Sequence, residues 1–399
     1  MKFSSWPQHS LEEAEAVRDV LLSNKVNYWT GTQCRDFEKE FANFFGTRYA
    51  VALANGTVAL DVALRALGIG KNDEVIVTSR TFLASVSSIV NVGAIPVFAD
   101  VDAHTQNITA ETISEKLSDK TRAIICVHLA GWPSDLDPIM RLAYERKLSV
   151  IEDCAQAHGA KYKGRFVGSI GHIGCWSFCQ DKIMTTGGEG GMVTTNDPEL
   201  WSKMWSYKDH GKSWEAVYER HHAPGFRWLH DSFGTNWRMT EMQAVIGRIQ
   251  LRHMDVWQQT RHRYLEQIWS AARQTKCLIA PKLACKGCKN DCDSDNGCRH
   301  AAYKCYVFTK KGEGIRDEFI SAINERGVPC YHGSCSEVYL EKAFDNTDFR
   351  PKERLPTAKK LGETSIMFLC HPSLSQEAID RTCSVIKEVC SNISGANNT

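Results

Sequence analysis

From Tyr49 to Thr195 the chain repeats one pattern, in which short apolar runs alternate with stretches whose apolar residues fall at helical spacing. YAVALA, Glu74–Val77, Ile95–Asp100, Arg122–His128, Ser149–Asp153 and Met192–Thr195 read as strands. Thr57–Leu67, Ala84–Val92 and Asp137–Lys147 read as helices between them. Strand–helix–strand alternation implies parallel crossover units and a doubly wound α/β sheet. Such sheets hold ligands beyond the carboxyl ends of their strands. The residues at those ends are Gly56-Thr57, Thr81-Phe82, His128, Asp153 and Ser177.

Three of these positions carry chemistry. Asn55-Gly56-Thr57 is a tight turn feeding a helix, whose free N–H groups and positive dipole end suit a phosphate; an ordinary helix cap reads the same. The stretch Cys175–Met192 (CWSFCQDKIMTTGGEGGM) sets Lys182 between apolar residues and a glycine cluster. Burial would favour the neutral amine, which condenses with an aldehyde, whereas a surface lysine before a glycine turn would do nothing. Asp153 ends the apolar run LSVIED, where a carboxylate either caps a turn or faces a ligand. Taken with Lys182, the second reading is the better one. The pyridine nitrogen of pyridoxal phosphate (PLP) stays protonated against a fixed carboxylate, and the ring then accepts electrons.

Composition excludes other classes. The chain has 399 residues, 43% hydrophobic and 24% charged, enough for a large core and two domains. The formal net charge is +1, from 48 basic and 47 acidic residues, so no global field would hold nucleic acid or a membrane surface. The N-terminus lacks the apolar core of a signal peptide and no run approaches a membrane span, so the expected location is cytoplasmic. Most of the sixteen cysteines sit in apolar contexts as small hydrophobes in a reducing compartment. Cys285, Cys288, Cys292 and Cys298 instead share one polar segment, as a zinc site or a thiol-rich insertion, and no metal is assigned to them.

Elsewhere, residues 10–22 form a serine-capped helix, and Phe37, Phe41, Phe44 and Phe45 line one face of another, as core. Lys208–Asp231 reads as a long aperiodic loop, and a long helix follows. The boundary between a large domain (14–255) and a small α+β domain (256–399) falls within that helix, and residues 1–13 pack with the small domain.

With these residues assembled, the chain resembles the DegT-type sugar aminotransferases, a PLP-dependent group with the aspartate-aminotransferase fold. The resemblance rests on FEKEFANFFGTRYAVALANGTVAL, DEVIVTSRTFLAS, IEDCAQAHGA, SFCQDKIMTTGGEGGMVTTND and FGTNWRMTEMQA. It implies a large domain with a mixed, mainly parallel sheet. By position, Lys182 would anchor the cofactor covalently and later carry the proton. Asp153 would hold the ring nitrogen, Gln156 would lie near the 3-oxygen, and Phe82 would stack on the ring. Gly56, Thr57 and Ser177 would bind the phosphate. Asn236 would reach in from a second subunit, making a homodimer with shared sites.

The implied reaction moves an amino group from L-glutamate to a keto-sugar. SRTFLAS, WSFCQDKIMTTGGEGG and SCSEVYLEKAF look closest to a branch that aminates the 8-position of an oxidised octulosonate for lipopolysaccharide. The alternative acceptor is a nucleotide-linked 3-keto or 4-keto hexose. A carboxylated acceptor would want a fixed cation, for which Arg80, Lys212 and Arg238 are candidates. The dehydratase branch of the family carries histidine at the anchoring position, so Lys182 argues against it. A non-catalytic PLP-binding regulator would have lost the lysine or the aspartate.

Overall fold

The computed structural model describes residues 3–283, 297–310 and 312–396. Seven strands form the main sheet: β1 Tyr49–Leu53, β2 Glu74–Thr78, β3 Ile95–Ala99, β4 Thr121–Val127, β5 Ser149–Asp153, β6 Ile173–Ser177 and β7 Gly191–Thr195. Their order across the sheet is β1-β7-β6-β5-β4-β2-β3. From β3 through β6 every neighbouring pair is parallel, whereas β7 runs antiparallel to both β6 and β1. The chain turns straight back after β6 through residues 178–190, without a helical crossover, and that return carries Lys182. A strand reached without a crossover must pair antiparallel, so the sheet is mixed and mainly parallel. The strands are buried on both faces, which explains their Val/Ile runs.

The return segment rests on an aromatic core. Phe37, Phe41 and Phe45 from helix Gln33–Phe45 pack with Trp176, Phe178, Ile183 and Met184. Phe41 meets Trp176 and Phe178 edge to face, at centroid distances of 5.2 and 5.6 Å. Truncating one of these rings would cost about 3–5 kcal/mol and loosen the segment that follows Phe178. Gly46 ends the helix in the left-handed conformation (φ 70°), which the lack of a Cβ permits.

Helix Glu241–Arg273 is capped by Thr240 and Gln243 in a reciprocal box. Its buried residues join the aromatic core as far as Met254, and from Tyr264 onward they join a second core with Val307, Phe368 and Val385. That second core lies under a four-stranded antiparallel sheet of β8 Leu278–Ile279, β9 Cys305–Thr309, β10 Cys330–Tyr331 and β11 Ser365–Phe368. Phe3 packs against this core, and Trp6 lies against Trp257 and His371.

Two expectations need amendment. The segment after Lys208 is not wholly aperiodic, because Ser213 caps a helical turn at Trp214–Tyr218. The second concerns cysteines. Cys285, Cys288 and Cys292 lie outside the described residues, while Cys298 is buried in a small cluster with Trp132, Leu136 and Tyr162. Many thiols are free and buried, but Cys277 and Cys390 are joined, since the residue before β8 and the last helix meet in the second core. No helix among the described residues is long and apolar enough to cross a membrane.

Candidate active site

The strand ends of the main sheet open into a cavity of about 720 Å³, closed on its far side by residues of the second sheet. Gly56, Thr57, Phe82, Asp153, Gln156, Ser177 and Lys182 all line it. Thus seven expected residues share one space.

The phosphate-type turn is built as a helix start. Asn55 Oδ1 accepts from Val58 N at 3.0 Å and caps helix Gly56–Ala66. The N–H groups of the first turn point outward, where the helix dipole favours an anion. A Cβ on Gly56 would stand 2.5 Å from Ser177 Cβ, so only glycine lets this turn sit against Ser177. Ser177 Oγ accepts from Cys179 N at 3.3 Å and keeps its own proton to donate.

Asp153 sits at the tip of β5, 5% exposed. Its Oδ2 accepts from Ser85 Oγ at 2.8 Å and its Oδ1 from Ala155 N at 3.1 Å. Since Ser85 spends its proton on Asp153, it accepts from Thr81 Oγ1, 2.8 Å away. Burial pushes the Asp153 carboxyl above the usual range, against these hydrogen bonds and the charge of Lys182. Gln156 Oε1 accepts from Ala130 N at 2.9 Å, which leaves its amide N–H groups toward the cavity. Phe82 is 71% exposed on the rim, an unusual position for a large apolar ring.

Lys182 is half-buried in a turn closed by its N–H to Cys179 O at 3.0 Å. Its Nζ lies 3.7 Å from the Asp181 carboxylate and 5.2 Å from the ring centre of Tyr303. Burial alone would raise the Asp181 carboxyl, but Lys182 and the donated Tyr303 hydroxyl hold it below its ordinary value. Trp6 Nε1–H donates to the carbonyl of Lys182 at 2.7 Å.

The three expected substrate cations are not in the cavity wall. Arg80 is fully buried behind it, donating Nε–H to Gln106 at 3.0 Å with its guanidinium 5.3 Å from the Tyr306 ring centre. Lys212 and Arg238 converge on buried Asp209, at 3.2 and 2.6 Å. A carboxylate without water must be neutralised by neighbours, and backbone bridges between Asp209 and Asn236 and between Lys212 and His230 bring these neighbours in. Asn236 is exposed and lies outside this chain's own cavity.

His128, Glu152 and Cys154 approach closely enough to hold a metal. Their atoms are already engaged. His128 Nδ1 accepts from Ser134 N, so Nε2 carries the proton and donates to Glu152 at 3.0 Å. Glu152 further accepts from the N–H groups of Gly168, Ile170 and Gly171.

Sequence reasoning missed the wall from the second sheet, made of Tyr303, Lys304, Tyr306 and residues 333–335. The only signal was a lysine inside the strand-like run AAYKCYVF. Ser85 and Trp6 gave none.

Residues 7–387 match the description of the DegT/DnrJ/EryC1/StrS aminotransferase family. The chain belongs to that family. It is therefore a PLP-dependent aminotransferase of the aspartate-aminotransferase fold. Among similar proteins, GDP-perosamine synthase of Escherichia coli O157:H7 is 36% identical over 397 residues, covering 97% of this chain and 99% of that protein. UDP-N-acetyl-3-dehydro-alpha-D-glucosamine 3-aminotransferase of Acidithiobacillus ferrooxidans is 36% identical, covering 93% of this chain and 94% of that protein. A solved aminotransferase structure from Psychrobacter cryohalolentis is 60% identical with a TM-score of 0.94, covering 98% of this chain and all of that one.

Proposed function

We propose that this aminotransferase moves an amino group from L-glutamate to a nucleotide-linked 3-keto or 4-keto hexose. The observation that carries the reading is the shared cavity, in which a lysine, a buried carboxylate and a helix start face one another. Two relatives are named for GDP- and UDP-linked sugars, which favours a nucleotide-linked acceptor over the octulosonate. Among the cations that reading leaned on, Arg80 lies buried behind the cavity, and Lys212 and Arg238 are already paired with Asp209, which further favours the nucleotide-linked acceptor.

The residues present fit PLP. Asp153 is a buried carboxylate with no cation in bonding contact among the described residues, and a protonated ring nitrogen would supply one. Exposed Phe82 would cover a ring face, and Gln156 would donate to the ring's 3-oxygen. The Gly56 and Thr57 N–H groups and the Ser177 hydroxyl would hold the phosphate, and Asn236 of a second copy would complete that cradle in a homodimer. When bound, the cofactor supplies an electron sink for carbanion character at the substrate carbon. Lys182 Nζ would anchor it and, once released, would take a proton from the donor's Cα and pass it on within that half of the cycle, then deliver a proton to the acceptor's carbon by the reverse transfer in the other half. Asp181 and Tyr303 fix where that amine stands.

Residues 14–255 would form the cofactor domain and 256–399 the small one, with residues 1–13 on the latter. The many buried free thiols favour a cytoplasmic location. The deciding experiment compares turnover of a GDP- or UDP-linked keto-hexose with that of the 8-keto octulosonate. Amination of the octulosonate alone would reverse the acceptor assignment, and a purified protein that took up no PLP would end the whole reading.

A further inference from the structure

We propose that Lys304 receives the anionic group of the substrate and so helps determine what this aminotransferase accepts, a proposal that rests on the reading above. Lys304 lines the cavity from the side of the second sheet, opposite the strand ends. Its Nζ lies 4.7 Å from the ring centre of Tyr303, and Lys182 Nζ lies 5.2 Å from the same centre. Both amines therefore stand against one aromatic ring. A substrate whose reacting carbon is held at Lys182 would bring a nearby anionic group within reach of Lys304.

The two lysines differ in what surrounds them. Lys182 has the Asp181 carboxylate at 3.7 Å, whereas no carboxylate stands within ion-pair distance of Lys304 among the described residues. Asp181 acts on Lys304 only through space and is already engaged by Lys182 and the Tyr303 hydroxyl, so burial lowers the pKa of this amine despite that charge. An incoming carboxylate or phosphate would relieve the cost of burial.

The backbone holds Lys304 there at some expense. Tyr303 N and Ala301 N donate to the carbonyls of Ala130 and Gly131, tying the start of β9 to the rim of the main sheet. Ala130 and Ala302 adopt left-handed φ values of 57° and 50°, which a side chain disfavours. Strain of this kind persists only where surrounding contacts over-determine it, and here it sits beside the cavity. Ala130 N also donates to Gln156, so the same clamp sets both the large-sheet and small-sheet walls.

Two anions occupy such a cavity in turn, the donor's carboxylate and the acceptor's diphosphate, and the test separates them. Dissociation constants of glutarate, GDP and UDP are measured by calorimetry on wild-type, Lys304→Gln and Lys304→Arg holoenzymes, with KM and kcat for each half-reaction. Lys304→Gln should weaken at least one probe about tenfold and raise the matching KM, while Lys304→Arg stays close to wild type. Loss of glutarate binding assigns the donor carboxylate; loss of GDP or UDP binding assigns the diphosphate. Lys304→Met, which keeps most of the stem, serves if the glutamine variant does not fold. Unchanged binding of all three probes, a fall in kcat with both KM values intact, or a wild-type enzyme that binds none of them would overturn the proposal. Failure of the acceptor assignment looks different, because wild type would then turn over no nucleotide keto-hexose while the glutarate comparison still stands.

Discussion

Trp6 and Lys182 are 176 residues apart in sequence, yet the Trp6 indole N–H donates to the Lys182 carbonyl at 2.7 Å. The indole is itself held by the edge of Trp257, the stacked ring of His371 and the Arg261 guanidinium 4.9 Å from its centre. The start of the chain thus fixes the turn that presents the anchoring amine. Replacing Trp6 by Phe keeps a ring but removes the donor and leaves that carbonyl short of a partner. The expected cost is about 1 kcal/mol in unfolding free energy and a several-fold weaker hold on the cofactor. Denaturant midpoints and PLP dissociation constants would measure both.

Ser85 is the donor that stabilises the ionised form of Asp153 at 2.8 Å. Burial already raises this carboxyl, and Ser85→Ala removes an interaction that works against burial. The carboxyl should therefore rise further. Activity that needs the carboxylate should lose its acid limb at a higher pH than in wild type, with the alkaline limb unchanged. A profile of kcat/KM against pH that did not move would contradict this assignment.

If Asn236 completes the partner's site, subunits carrying Lys182→Ala and subunits carrying Asn236→Ala should complement each other. Each variant alone should lose on the order of a hundredfold or more in turnover. In a mixed dimer one site carries both changes and the other carries neither. Random reassortment should thus restore about a quarter of wild-type activity. No recovery after verified exchange of subunits would argue for self-contained sites.

Arg238 pairs with buried Asp209 at 2.6 Å, and that pair should contribute to stability. Burial would raise Asp209, but the charges of Lys208, Lys212 and Arg238 outweigh it and hold the carboxyl below its ordinary range. A depressed carboxyl contributes stability at pH values above its unfolded pKa, and that contribution is lost as pH falls through the folded pKa. Arg238→Ala should cost roughly 2 kcal/mol near neutrality, below the usual cost of breaking a buried pair because two lysines remain. The difference from wild type should shrink on acidification below the ordinary carboxylate range. Urea unfolding at several pH values would test it, and KM for the acceptor should not change.

Much was legible without coordinates because it depends on short-range chemistry. Alternating apolar runs and helical spacing are local, and they specify a parallel sheet whose strand ends must share one rim. Gly56, Thr57, Asp153, Ser177 and Lys182 each stand just beyond or at a strand end, so their meeting follows from the topology alone. What only the tertiary structure decided are the contacts between segments far apart in the chain. Sequence spacing does not reveal that Ser85 meets Asp153, that Trp6 meets Lys182, or that Tyr303 and Lys304 close the cavity from a second sheet. Nor does it tell a free cation from a neutralised one. Lys212 and Arg238 pair with Asp209, Arg80 is buried behind the cavity beside Gln106 and Tyr306, and Lys304, hidden in an apolar run, faces the cavity. Charge in a folded protein is a property of surroundings, and surroundings are set by packing.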